Sequence, residues 1–202
     1  MCALYTFYVG VHMIGNGSTE ETVTRTFRVN KEWDDILHEQ AQWQGISVSN
    51  LLDQIVRRYV VTERFHYNLP IMSMENKAFL RLLQTMNEDD IKNEGIVSGK
   101  LLPEEELLRR GLPKSFHSFV WMMKEVFGRY GGWFTVDHYT TEDQNILHLQ
   151  HYLDRKWSVY LHNFFSSMFI SNLDIEIKTE IREDSVTFYI SNKQIETITR
   201  VR

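Results

Sequence analysis

The stretch "TVTRTFRVN", Thr22–Asn30, alternates polar and apolar residues and gives way at once to the helix-like "KEWDDILHEQAQW". A β-strand satisfies its backbone N–H and C=O groups through a neighbouring strand. No second strand-like run follows within hairpin distance. The partner of this strand is therefore far along the chain or on another molecule. That requirement narrows the available folds more than bulk composition does.

Side chains of a strand alternate between two faces. Val23, Arg25, Phe27 and Val29 share one face, mostly apolar and expected to sit on helices. Thr24, Thr26 and Arg28 share the other, hydroxyl-rich and ending in a guanidinium. Arg25 departs from its apolar face; opposite a second copy's Phe27, its stem could pack on the ring while its head reaches solvent or a phosphate. Asn30 can cap the following helix, with Asp34 and Asp35 near its positive end. Trp33, Ile36 and Leu37 form that helix's apolar stripe, and Gly45 fits a left-handed stop. Ser47 or Ser49 then opens a second helix whose buried stripe is Val48, Leu51, Leu52, Ile55, Val56 and Tyr59.

The run "TFRVNKEWDDILHEQAQWQGISVSNLLDQIVRRYV" resembles a ribbon-helix-helix DNA-binding domain of the Arc/MetJ type. A short strand ending in Arg–Val, a helix of about three turns, and a glycine before "SVSN" carry the likeness, over about a fifth of the chain. The resemblance implies that the lone strand pairs with the same strand of a second subunit and that the two-stranded ribbon enters the major groove. It implies base contacts from Thr24, Thr26 and Arg28, with Arg28 bidentate to guanine. It also implies phosphate contacts from the amides of Ser47, Val48 and Ser49 at the second helix start. The alternative is that strand and helices belong to an ordinary fold in which the strand serves dimerisation alone.

Beyond this region, "ERFHYNLPIMS" reads as a linker, with Ser73 able to cap a helix over "MENKAFLRLLQTM". "NEDDIKNEGIVSGKLLPEEELLRRGLP" reads as two short helices broken by glycine and proline. "KSFHSFVWMMKEVFGRY" places Phe116, Phe119, Val120, Met123, Val126 and Phe127 at helical spacing. A hairpin over "GGWFTVDHYTTEDQNILHLQHYL", a helix over "RKWSVYLHNFFSSMF", and a second hairpin turning near Glu183–Asp184 follow. The expected class is α+β: an N-terminal ribbon-helix-helix, then helices on one face of an antiparallel sheet built hairpin–helix–hairpin. This order, with "GGW" at the first strand, is similar in topology to 4-vinyl-reductase-like and haem-nitric-oxide-binding-like sensor domains. The cysteine-rich close of the former is missing, and topology alone does not give function.

The expected organisation is an N-terminal arm over 1–21, the ribbon-helix-helix over 22–62 and a linker over 63–73. A sensing or oligomerisation domain spans 74–192 and a tail 193–202. The arm has three readings: a frayed segment, a short extra strand, or upstream sequence if Met13 is the start.

Eight histidines invite a metal hypothesis, and four lie between 138 and 162. With the first hairpin turning near Glu142–Asp143, His151 pairs with Phe134 and lies about 13 Å from His138, too far to share an ion. His148 falls opposite Asp137, and His162 flanks the stripe of the next helix. No metal site and no definite cofactor are expected. His151 is polar on an apolar face: a hydrogen-bonded core histidine or, with Lys156 and Trp157 close behind it, part of a small-molecule pocket.

Glycine-rich phosphate loops, nucleophile elbows and zinc-binding helices are missing from the sequence, so an enzyme is not expected. A single cysteine fits a reducing compartment, the cytoplasm and nucleoid. No apolar run is long enough to span a bilayer. The expected partners are double-stranded DNA and a second copy or higher homo-oligomer, without a membrane. Residues 1–62 carry seven acids and five bases, so affinity for DNA would rest on a few placed cations. An antitoxin would follow its DNA module with a disordered toxin-binding tail; aromatic-rich periodic sequence stands there instead.

Overall fold

The computed structural model describes residues 23–66 and 73–201, which divide into an N-terminal and a C-terminal compact unit. In the N-terminal unit, α1 spans Lys31–Gln44 and α2 spans Val48–Val61, followed by a 3-10 turn over Glu63–Phe65. Asn30 caps α1 by accepting from the Glu32 amide at 3.0 Å. Gly45 stops it at φ 66°, the left-handed conformation that glycine adopts without strain. Ser47, not Ser49, caps α2, accepting from the Asn50 amide at 3.2 Å.

The strand expected over Thr22–Asn30 is not formed in the single chain. Residues 23–30 carry neither helix nor strand and are mostly exposed, and Thr22 lies outside the described residues. A ladder needs a partner, and the sheet of the described residues consists of four other strands. The expected apolar stripes are correspondingly open. Leu51 is buried and Leu37, Val48 and Leu52 are half-buried, but Trp33, Ile36, Ile55, Val56 and Tyr59 are exposed.

The C-terminal unit begins with α3 (Asn76–Thr85) and α4 (Glu88–Arg110). Ser73 does not cap α3; Glu75 holds that position, without a side-chain bond. The two short helices expected over 88–110 are one. Its buried row is Ile91, Gly95, Gly99, Pro103 and Leu107, each four residues from the last. The glycines and proline that read as breaks are instead the contact face. A Cβ on Gly95 would lie 2.8 Å from the Tyr160 carbonyl oxygen. Helix α5 (Phe116–Met122) runs into a π-helical segment, Met123–Tyr130, where a continuous α-helix was expected. The wider turn leaves Met122 and Met123, adjacent in sequence, both fully buried beside Val126 and Phe127.

Strands β1 (Thr135–Thr140), β2 (Gln144–Gln150), β3 (Lys178–Ile181) and β4 (Ser185–Ser191) form an antiparallel sheet of order β1-β2-β4-β3, with α6 (Arg155–Leu173) joining its two hairpins. This is the hairpin–helix–hairpin order read from the sequence. The register pairs Val136 with Leu149 and His138 with Leu147, as the turn near Glu142–Asp143 requires. One sheet face, from Leu147, Leu149, Val186, Phe188 and Ile190, is fully buried with Phe164, Phe165, Met168 and Phe169 of α6. The stretch read as a tail instead forms α7, Asn192–Val201, whose Ile195 and Ile198 pack on the core.

Candidate nucleic-acid interface and the histidine 151 cluster

Thr24, Thr26 and Arg28 lie in the exposed stretch directly before α1. The unit's other bases are mostly committed. Lys31 holds Asp35 at 3.0 Å, Arg57 lies 3.9 Å from Asp53, and Arg58 lies 3.0 Å from Glu63. Among the described residues, Arg25 and Arg28 make no ion pair. The guanidinium of Arg25 donates only to the neighbouring Thr24 carbonyl, at 3.4 Å. Ser47, Val48 and Ser49 occupy the start of α2, where first-turn amides have no intrahelical acceptor. Ser47 and Ser49 are exposed and Val48 is half-buried.

His151 sits just past β2 and is 3% exposed. Its Nδ1 accepts from the Leu153 amide at 3.2 Å, so Nε2 carries the proton and donates to Ser158 Oγ at 2.8 Å. Ser158 Oγ lies 3.4 Å from the carbonyls of Glu183 and Ser185, which tie the start of α6 to the β3–β4 turn. Both ring nitrogens are thus used within the fold. Burial pushes the imidazole below its ordinary value of 6.5, against a smaller opposing effect of the nearby Asp184 and Asp154 carboxylates.

Lys156 turns to a different place: its Nζ donates to the carbonyls of Gln84 at 2.9 Å and Met86 at 2.6 Å, closing the end of α3. Trp157 donates from Nε1 to the Trp133 carbonyl at 3.2 Å and stacks on Tyr160 with ring centroids 4.8 Å apart. The polar atoms of His151, Lys156 and Trp157 therefore point to three separate structural partners, not into one space. Burial also raises the Tyr160 phenol to about 12, opposed by a hydrogen bond with Ser98.

The other histidines are dispersed as well. His138 Nε2 meets Asn145 Oδ1 at 2.7 Å, and His162 lies 3.4 Å from Ser166 Oγ. His148 is opposite Asp137 in the ladder, yet its ring bonds Thr187 Oγ1 at 2.9 Å on the other neighbouring strand. Among the described residues no three metal-ligating side chains converge, and no helix is long and apolar enough to cross a membrane.

A feature the sequence reading missed is a groove of about 270 Å³ lined by Pro113, Lys114, Phe116, Leu173, Ile195 and Ile198, among others. Two of these residues belong to α7, which is why a reading of that stretch as a tail could not find it. The 195–198 isoleucine spacing was the available signal. Set against family models, curated proteins and solved structures, the chain matches none.

Proposed function

We propose that the chain is a homodimeric, sequence-specific DNA-binding regulator whose N-terminal segments pair into a ribbon that enters the major groove. One observation carries this reading. Of the three arginines of the N-terminal unit that make no ion pair among the described residues, Arg64 holds the Val60 carbonyl at 2.6 Å and lies over the Phe65 ring, whereas Arg25 and Arg28 both lie on the exposed hydroxyl-rich segment before α1. Thr24, Thr26 and Arg28 read base edges; the amides of Ser47, Val48 and Ser49 hold a phosphate. The C-terminal unit senses a small molecule or adds oligomer contacts, and the protein works without catalysis inside the cell.

The test is selection of bound fragments from genomic DNA, followed by the Arg28→Ala variant on the selected site. That variant is expected to lose about 1–3 kcal/mol of discrimination while its dimer mass stays unchanged. Normal operator binding by the variant removes Arg28 from the interface. A second reading, pairing for dimerisation without DNA, draws on the weak charge of the unit: seven acids against five bases over residues 1–62. It predicts an apparent affinity for duplex DNA that does not fall steeply with salt, whereas phosphate contacts require such a fall.

A further inference from the structure

The start of α7 and its body are held in different ways. At the start, both donors and the acceptor of the Asn192 side chain are used. Its Nδ2 donates to the Thr141 and Glu142 carbonyls at 2.9 and 3.0 Å, and its Oδ1 accepts from Asn145 Nδ2 at 2.7 Å. Its backbone amide donates to the Asp143 carbonyl at 2.9 Å. Asn145 is fixed in turn, because its Oδ1 accepts from Thr140 Oγ1 at 3.1 Å and lies 2.7 Å from His138 Nε2. The first residue of α7 is thus bolted to the β1–β2 turn by a network whose members satisfy one another.

One turn further on, the helix is held less well. Ile195 and Ile198 are half-buried against the core, but they also line the groove of about 270 Å³, so part of their surface meets no protein atoms. Gln194 opposes closure, because its Oε1 is buried and accepts no hydrogen bond. An unpaired buried acceptor favours any state that returns it to water. Partial burial of two isoleucines and the desolvation of one amide oxygen are of similar size and opposite sign. The body of α7 therefore lies close to balance, while its first residue does not.

We propose that α7 is a hinged strap, fixed at Asn192, that lifts from the groove as a unit and closes on it again. Lifting uncovers Phe116, Leu173 and Ile175, which line the groove with it. The inference concerns the C-terminal unit alone and holds whether or not the chain binds DNA. The test is native-state hydrogen exchange on the full chain at several low urea concentrations. The amides of 196–201 are expected to exchange through one shared opening that depends weakly on urea. The Asn192 amide and the ladder amides of β4 are expected to stay protected until the unit unfolds. Protection that declines residue by residue along α7 is ordinary fraying, and protection equal to that of β4 is a fixed helix; either overturns the proposal. Gln194→Met removes the unpaired acceptor at similar size. It is expected to slow the shared opening about tenfold and leave β4 unchanged, and unchanged or faster exchange in α7 overturns the proposal. Asn192→Ala is expected to draw the amide of residue 192 into the shared opening, and unchanged protection there overturns the hinge.

Discussion

Replacing Gly99 by alanine sets two effects of opposite sign against each other. In an exposed helix interior the change stabilises by about 1 kcal/mol, because alanine restricts the unfolded chain and glycine does not. At Gly99 the added Cβ would stand 2.8 Å from both the carbonyl carbon and the Cα of Phe164, and would overlap the carbonyl oxygen. Ordinary contact begins near 3.4 Å, so α4 and α6 must separate by at least about 0.6 Å. That atom is backbone and has no rotamer to yield. Its helix carries Phe164, Phe165, Met168 and Phe169, all fully buried, so the movement opens gaps along the core rather than at one point. Overpacking of this kind costs about 3 kcal/mol, which leaves a net loss near 2 kcal/mol. Gly95→Ala is the internal control. Its Cβ meets the Tyr160 oxygen at 2.8 Å and the Asn163 Cβ at 3.0 Å, a milder approach expected to cost about 1 kcal/mol or less after the same propensity gain. Equilibrium urea unfolding followed by tryptophan fluorescence reads the right unit. Trp157 is buried and Trp133 half-buried there, while Trp33 and Trp43 of the N-terminal unit are largely exposed already. A Gly99→Ala protein as stable as the parent would refute the argument that these glycines exist for close helix approach.

Two further outcomes follow from buried polar groups. The folded pKa of His151 lies below its ordinary value of 6.5, so the unfolded state binds the proton more readily; the contribution to stability is intact above about pH 6.5 and is lost as pH falls below it toward the folded value, with His162 acting in the same direction. Urea midpoints measured between pH 7.5 and 5 should decline for the parent and decline less for His151→Asn, which keeps an acceptor for the Leu153 amide; identical slopes would remove His151 as a cause. The Arg110 side chain is fully buried and paired to Glu106, so Glu106→Gln is expected to destabilise by about 3 kcal/mol. The double change Glu106→Gln with Arg110→Met should recover most of that loss in the same urea assay, since it removes the buried charge along with the carboxylate that balanced it.

Periodicity made the C-terminal hairpins, α6 and the apolar face of the sheet legible, because alternation and helical spacing reflect burial directly. Even the pairing of Val136 with Leu149 followed from placing one turn. What failed was the reading of glycine and proline in α4 as breaks. Propensity describes a helix in water, whereas Gly95 and Gly99 lie where α6 approaches too closely for larger side chains, and Pro103 is buried on the same row. The π-helical turn carries no pattern of its own, since Phe116 to Phe127 fit ordinary helical spacing. For His151 the sequence showed a polar residue on an apolar face but not its partner. Ser158 is seven residues on, across a turn, and nothing in the spacing marks it as the acceptor.

The N-terminal unit poses the opposite case, in which sequence and single-chain structure disagree and both are informative. The helical spacing of Trp33, Ile36, Ile55, Val56 and Tyr59 is that of a core, and Val23 and Phe27 alternate as a core-facing strand does, yet all seven side chains are exposed. Scattered apolar residues on a surface need no explanation, but the larger part of an apolar stripe on each of two helices, together with a strand-like segment, does. Fully burying side chains of this size contributes about 1.5–3 kcal/mol each. Association itself costs on the order of 10 kcal/mol, which several such side chains from each of two copies offset. A core shared between chains would also supply the ladder that residues 23–30 lack. The same step would turn Thr24, Thr26 and Arg28 outward together, because side chains on a strand cannot bury one face without presenting the other. Dimerisation and presentation of the face proposed to read bases are then one event, so a variant such as Phe27→Lys should lose both dimerisation and DNA binding, whereas Arg28→Ala should lose only the second.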